Sequence, residues 1–291
     1  MNASILALMA NFSFALGSQF FTHFTRIYSS TWMNTFKALA AGLGFLLTIL
    51  ITTGFNPITN IGLTLFLVSG AIGLGIGDIF LLKAFGEIGP GRTMVIFGFH
   101  PIIVGIFSYF IFAQQVETHK LWGIFFFIIC LLIFSLESFR ATKQWRVKGL
   151  IFAFSGMVLD AGGVLITRFA FDTNPVTSPL EGNFYRCIGA LLVYSVIRRF
   201  SPFHFRARLK SMSRKATLFL CMGAFFGTYL SLMLYLQAIQ IAESLALISS
   251  ISITAVIFSS TFECIWEKKA PSGYLLLAFV FFLIGTYFTL G

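Results

Sequence analysis

The sequence predicts an all-α polytopic membrane protein with ten transmembrane helices, arranged as two inverted five-helix repeats. Three observations support this prediction: the composition, the length of the apolar runs and the positions of the basic residues. Of 291 residues, 57% are hydrophobic and 10% are charged, whereas a typical soluble domain is about 25% charged. The chain therefore has too few charges to cover a soluble globule of its size, and disorder needs the opposite composition.

Apolar runs of about 20 residues, the length that a helix needs to cross the hydrocarbon core, recur ten times. Short connections with turn residues such as Asn56-Pro57 separate them. Because the runs are continuously apolar, they do not have the alternating pattern of a transmembrane β-barrel. One membrane domain, residues 1–291, is therefore predicted, with spans at residues 3–24, 31–53, 61–85, 91–114, 120–138, 148–171, 182–200, 216–240, 243–265 and 271–290.

The basic residues predict the orientation. Fifteen lie in odd-numbered connections, two lie in even-numbered connections, and Lys37, Lys83 and Arg186 lie inside spans. The positive-inside rule then places the odd connections in the cytoplasm, and both termini of this inner-membrane protein outside it. No Lys or Arg precedes Arg26, so the first run predicts a retained helix and not a signal peptide. The net charge of +10 thus reflects orientation, and no nucleic-acid partner is expected.

The cysteines and the missing motifs argue against a metal site or an enzyme. All four cysteines lie in apolar runs without a CxxC pair, so free thiols packed among apolar side chains are expected at Cys130, Cys187, Cys221 and Cys264. The sequence contains no HExxH helix, no GxSxG elbow and no phosphate-binding loop. We therefore expect no cofactor, no ATP hydrolysis and no enzyme activity.

Residues 1–138 and 148–291 share several features. The third and eighth spans contain the small-residue stripes Gly73-xxx-Gly77 and Gly223-xxx-Gly227, and the second and seventh spans each contain a cation, Lys37 and Arg186. Because five spans is an odd number, the second half enters the membrane from the opposite side. The two halves therefore predict an inverted repeat with a binding site near the bilayer midplane.

Polar residues inside the spans are the candidate site residues, because they are costly in a membrane. Lys37 and Arg186 predict a site for an anionic group, with a structural ion pair or snorkelling to the interface as the alternative. Asp78, Asp160 and His100 are candidate proton carriers, with interhelical hydrogen bonds or pairing to Lys83 or Arg168 as the alternative. The amides expected to line a solute cavity are those of Asn11, Gln19, Asn34, Asn183 and Gln237.

Several stretches are similar to those of one known family. They are Ala15-Leu16-Gly17-Ser18, Lys37, His100-Pro101-Ile102, and the Glu-x5-Gly stretches from Glu117 to Gly123 and from Glu267 to Gly273. In these stretches the chain resembles the EamA-type transporters of the drug/metabolite transporter superfamily. Residues 243–265 contain no proline, so a kink matching the one at His100-Pro101 is expected to be missing in the second half.

The resemblance implies a secondary-active transporter that exports small organic metabolites by alternating access. The paired cations favour an amino acid or another anionic or zwitterionic solute, and a buried carboxylate or histidine would couple transport to protons. A monomer or homodimer in the lipid bilayer is expected. A channel, a non-transporting scaffold or receptor, and an intramembrane enzyme remain as alternatives.

Overall fold

The computed structural model describes residues 2–25, 27–88, 90–113, 118–142, 147–200, 203–266, 268, 270 and 272–290. Every regular element in these ranges is helical, so the all-α prediction is confirmed for them. The first half contains α1 (Ala3–Thr25), α2 (Ser30–Thr52), α3 (Asn60–Ser69), a π-helical segment (Gly70–Gly77), α4 (Asp78–Ile88), α5 (Pro90–Phe97), α6 (His100–Phe112) and α7 (Thr118–Thr142).

The second half has the same order of elements, with one additional short helix. It contains α8 (Val147–Thr173), α9 (Pro179–Phe200), the short α10 (Phe205–Ser211), α11 (Arg214–Ala224), a second π-helical segment (Phe225–Leu230), α12 (Ser231–Ile241), α13 (Leu245–Ile251), α14 (Thr254–Trp266) and α15 (Gly273–Leu290). Within the described ranges, six helical stretches are long and apolar enough to cross a membrane, and shorter apolar helices accompany them. The chain is therefore a multi-pass membrane protein, and the count of ten spans stays a prediction.

The fourth and ninth predicted spans are broken helices. The break in the fourth span, at Gly98 and Phe99, lies just before the expected kink at Pro101. The expectation that the ninth span lacks a kink is wrong, because that helix ends at Ile251 and restarts at Thr254.

Serine side chains and tight backbone hydrogen bonds make this second break without a proline. The Ser250 hydroxyl donates to the Leu247 carbonyl at 2.7 Å. The Ser252 amide donates to the Ser249 carbonyl at 3.0 Å, three residues back instead of four. Such bonds tighten the last turn and compete with the regular helix ladder.

The helices of the two halves pack against each other. Helix α1 packs against α11, α12 and α14 of the second half, whereas α8 packs against α3, α4 and α6 of the first half. Two further pairs, α2 with α9 and α7 with α15, join the halves side by side. Gly17 permits one close approach, because a Cβ there would overlap the backbone of Gly227. The interior between the halves is therefore built from both of them.

Candidate functional site: a charged cavity between the halves

A cavity of about 140 Å³ lies between the two halves, which is room for several water molecules. Helices α1, α2, α4, α8 and α12 line it, together with the breaks of both interrupted helices. Main-chain groups freed by such breaks are tolerated at membrane depth only where they face protein or a water-filled space. The charged and amide side chains in its wall are those of Asn11, Lys37, Asp78, His100 and Asp160.

One wall of the cavity contains an ion pair between α2 and α4. The Lys37 Nζ atom lies 2.8 Å from Oδ2 of Asp78, and the two side chains are 7% and 20% exposed. The same Nζ lies 5.4 Å from the centroid of the Phe21 ring. Lys83, the other cation considered for Asp78, lies over the rings of Phe80 and Phe152 instead. The charge of Lys37 is therefore neutralised within the cavity wall.

Another part of the cavity wall contains an acid–base pair between α6 and α8. The His100 Nε2 atom lies 3.4 Å from Oδ2 of Asp160, and the Asp160 side chain is 36% exposed. His100 is the first residue of α6, directly after the break in the helix. A proton gained or lost by this imidazole therefore changes the charge next to Asp160 at the point where the helix is interrupted.

Arg186 does not share the cavity with Lys37. Both residues are the eighth of their helices, yet Arg186 is 1% exposed and does not line the cavity. Its Nε and Nη1 atoms have no hydrogen-bond partner among the described residues. Its guanidinium lies beside Gly73 and within electrostatic range of Asp160 and Asp78. The two cations predicted as a pair thus occupy different environments.

Of the five predicted amides, only Asn11 lines the cavity. Its Nδ2 donates to the Ile251 carbonyl at 3.2 Å, where α13 ends, so it fixes α1 to the break. Gln19 and Asn183 donate to groups on other helices. Asn34 is buried, and neither of its side-chain polar atoms has a partner among the described residues. Gln237 is exposed, so the structure does not bring it to the cavity.

Comparison with known proteins identifies the first half. A model of the EamA-like transporter family matches residues 1–136. Residues 1–136 are therefore similar to the EamA-like transporter family. The EamA match confirms the resemblance to the drug/metabolite transporter superfamily, whose members are membrane transporters and not enzymes.

The fold of the whole chain has a counterpart among solved structures. A crystal structure of a protein with 12% identity superposes with a TM-score of 0.74, over 98% of this chain and 94% of the other. This likeness shows that the EamA-like half and the second half together form a known fold. A search of curated proteins gives no match.

Some candidate residues of the EamA-like pattern cannot be placed. Glu117 and Glu267, which begin the two Glu-x5-Gly stretches, lie outside the described residues. Sequence reasoning also missed several cavity residues of the second half. They are hydroxyl residues on or near the second π-helical segment and the second break: Thr228, Ser231, Tyr235 and Ser252. The sequence signal for these residues is weak, because hydroxyl residues are common in membrane helices. The small-residue stripe that ends at Gly227 is the one sequence feature next to them that drew attention to this region.

A polar clamp at one end of the protein was also missed. The buried carboxylate of Glu181, at the start of α9, accepts hydrogen bonds from the Asn56 amide at 2.5 Å, the Asn56 Nδ2 atom at 2.9 Å and the Ser178 amide at 2.7 Å. Beside it, the Asn174 Oδ1 atom accepts from the Thr59 hydroxyl at 2.7 Å. These bonds hold the α2–α3 connection of the EamA-like half against the α8–α9 connection.

Proposed function

We propose that this protein is a secondary-active transporter that moves small organic solutes across the inner membrane by alternating access. The observation that carries the proposal is the cavity itself. Both halves line it, two broken helices meet there, and the ion pair of Lys37 with Asp78 and the acid–base pair of His100 with Asp160 face it. In transporters, interrupted helices at the interface of two repeats form the solute and ion sites.

The arrangement of contacts supports two inverted five-helix repeats, residues 1–138 and 148–291. Each half has a π-helical segment in its third long helix and a break in its fourth. Helix α1 of the first half packs against the second half, and α8 of the second half packs in the same way against the first half. A rocking motion of one half against the other would then expose the cavity alternately on either side.

The charges of the cavity favour a zwitterionic solute such as an amino acid. Because Asp78 already neutralises Lys37, a simple anion would have to compete with Asp78 for that cation. The carboxylate of a zwitterion also competes with Asp78 for Lys37, but its ammonium group adds a favourable contact with the Asp160 carboxylate. Export is the direction that the family resemblance implies.

We assign proton coupling to the pair of His100 and Asp160. His100 faces Asp160 from the helix break, and the other titratable or charged side chains in the cavity wall are those of Lys37, Asp78 and Tyr235. Protonation of His100 would create a charged pair across α6 and α8, and release of the proton would weaken the link at the break. Solute binding and proton binding would thus compete for the same carboxylate.

The test has two stages. A metabolite screen by thermal shift first identifies the solute, and proteoliposomes loaded with that solute are then assayed with and without a pH gradient. The expected result is concentrative transport that needs the gradient, together with solute binding but no gradient-driven accumulation in His100→Gln. The matched control is Gln237→Ala, an exposed position on α12 that should transport normally.

Two outcomes contradict the proposal. Accumulation that is the same with and without the gradient in the wild type removes proton coupling. Gradient-driven accumulation that persists in both His100→Gln and Asp160→Asn places the proton site elsewhere.

A further inference from the structure

A second hollow, distinct from the central cavity, lies on the surface between α2, α9 and α10. It is a groove of about 610 Å³. Its polar wall contains Arg198, Arg206, His204, Ser195 and Thr35, and its apolar wall contains Leu39, Leu191 and Phe203. A groove that combines two arginines with an apolar floor at a helix end matches an amphiphile with a negatively charged head.

The arginines of the groove are available to a ligand. Arg198 and Arg206 are exposed, and neither forms an ion pair with an acidic side chain among the described residues. The sequence contains no Asp or Glu between residues 182 and 242, whereas seven Lys or Arg residues lie between 198 and 215. The positive potential of this segment is therefore not cancelled by nearby acids.

Hydrogen bonds and ring contacts join α10, which forms one side of the groove, to the region around the start of α2. The Trp32 Nε1 atom donates to the Phe205 carbonyl at 3.3 Å, and the two rings lie 5.4 Å apart. Arg208 donates to the Ile27 carbonyl at 3.4 Å and lies over the Tyr28 ring. These contacts fix α10 against the start of α2 and so position the groove wall that α10 forms.

Exposed apolar side chains continue from the groove along both helices. Leu43 and Leu47 of α2 are each 58% exposed, and Leu192 and Val196 of α9 are exposed to nearly the same degree. In the predicted topology both α2 and α9 cross the bilayer, so these exposed side chains would lie against lipid chains. The polar head of a lipid in the groove would thus have its acyl chains on these two faces.

We propose that this groove is a binding site for an anionic phospholipid, whose phosphate lies between Arg198 and Arg206. Basic pockets between helices at the membrane surface bind anionic headgroups, and each nearby Lys or Arg contributes about 1 kcal/mol, or about fivefold in affinity. The acyl chains lie along α2 and α9, which distinguishes the ligand from a soluble phosphate. The site depends on neither the solute nor the coupling ion of the central cavity.

The test is native mass spectrometry and thermal shift on the full chain in neutral detergent. The probes are phosphatidylglycerol, phosphatidylcholine and glycerol phosphate. We expect phosphatidylglycerol alone to bind and to raise the melting temperature. In Arg198→Gln/Arg206→Gln, its affinity should fall by about 25-fold. The control Arg214→Gln/Lys215→Gln removes the same charge from exposed positions outside the groove and should change the affinity by less than about twofold.

Each other outcome overturns the proposal. An equal loss in the control double variant means that phosphatidylglycerol senses the charge of the whole segment. Equal binding of phosphatidylcholine means that the arginines do not select the lipid, and binding of glycerol phosphate at the same concentration means a soluble-anion site. The melting temperatures of both double variants in detergent alone should equal that of the wild type, so a changed affinity reports the groove and not the fold.

Discussion

The ion pair of Lys37 and Asp78 gives a sharp test of the cavity, because its two partners can be removed separately or together. The variant Lys37→Met keeps most of the apolar stem but leaves the Asp78 carboxylate without its cation at 2.8 Å. The double variant Lys37→Met/Asp78→Asn removes both charges. We expect the single variant to be much less stable than the double.

The magnitude follows from the geometry. At 2.8 Å and an effective dielectric constant of about 20, the attraction between the two charges is about 6 kcal/mol. Desolvation of both groups offsets most of this attraction, so the intact pair stabilises the fold little. Removing one partner leaves a buried charge uncompensated, which costs about 3–5 kcal/mol. The melting temperature of the single variant should then fall on the order of 10 °C, and the double variant should recover most of the loss.

The assay is thermal unfolding in detergent, followed by tryptophan fluorescence at one fixed scan rate, because such unfolding is often irreversible. Lys83→Met is the matched control, since Lys83 is exposed and lies over two aromatic rings without an acidic partner among the described residues. A double variant as unstable as Lys37→Met would refute the reasoning. So would a single variant as stable as the wild type.

Three further predictions test the packing, the clamp and the topology. Gly189→Ala should lower the melting temperature, because its Cβ would overlap the backbone of α3, whereas Gly162→Ala, with nothing within 4 Å of its Cβ, should be neutral or slightly stabilising. Glu181→Gln should lower the free energy of unfolding by about 1.5–3 kcal/mol for each charged hydrogen bond lost. Asp172→Asn, which removes the exposed partner of Arg168, should lower it by less than about 1 kcal/mol. Equal melting temperatures of these two variants would contradict this prediction. A reporter fused at Gly291 should read as extracytoplasmic, and a cytoplasmic signal would contradict the orientation.

Composition and apolar run length were sufficient for the fold class, because the bilayer imposes both on any helical span. The two helix breaks, in contrast, were not equally predictable from the sequence. Pro101 marks the first break, since proline removes a hydrogen-bond donor and clashes with the preceding turn. The break at Ser252 depends on serine hydroxyls competing for backbone carbonyls, and most serines in membrane helices do not interrupt the helix.

The sequence predicted the individual charged residues of the candidate site, but not which of them pair with each other. Lys37, Asp78, His100 and Asp160 stand out singly, because ionisable residues in spans are rare. Their partners lie on other helices, 41 residues apart for the first pair, and helix rotation decides which side chains meet. Arg186 illustrates this, because it is the eighth residue of α9 as Lys37 is of α2, although its side chain lies outside the cavity.

The backbone irregularities explain why the polar residues converge at this place. Asp78 follows the first π-helical segment directly, His100 follows the first break, and Ser252 lies within the second. At each of these points the regular ladder of helix hydrogen bonds is interrupted, and such interruptions persist in a membrane only beside protein or a polar space. The interruptions therefore help to place Asp78, His100 and Ser252 in the cavity wall, whereas Lys37 and Asp160 face them from the uninterrupted helices α2 and α8. In the proposed alternating-access cycle, a rearrangement that exposes the cavity to the other side of the membrane would bend the chain at these points, where the regular helix hydrogen bonds are already interrupted.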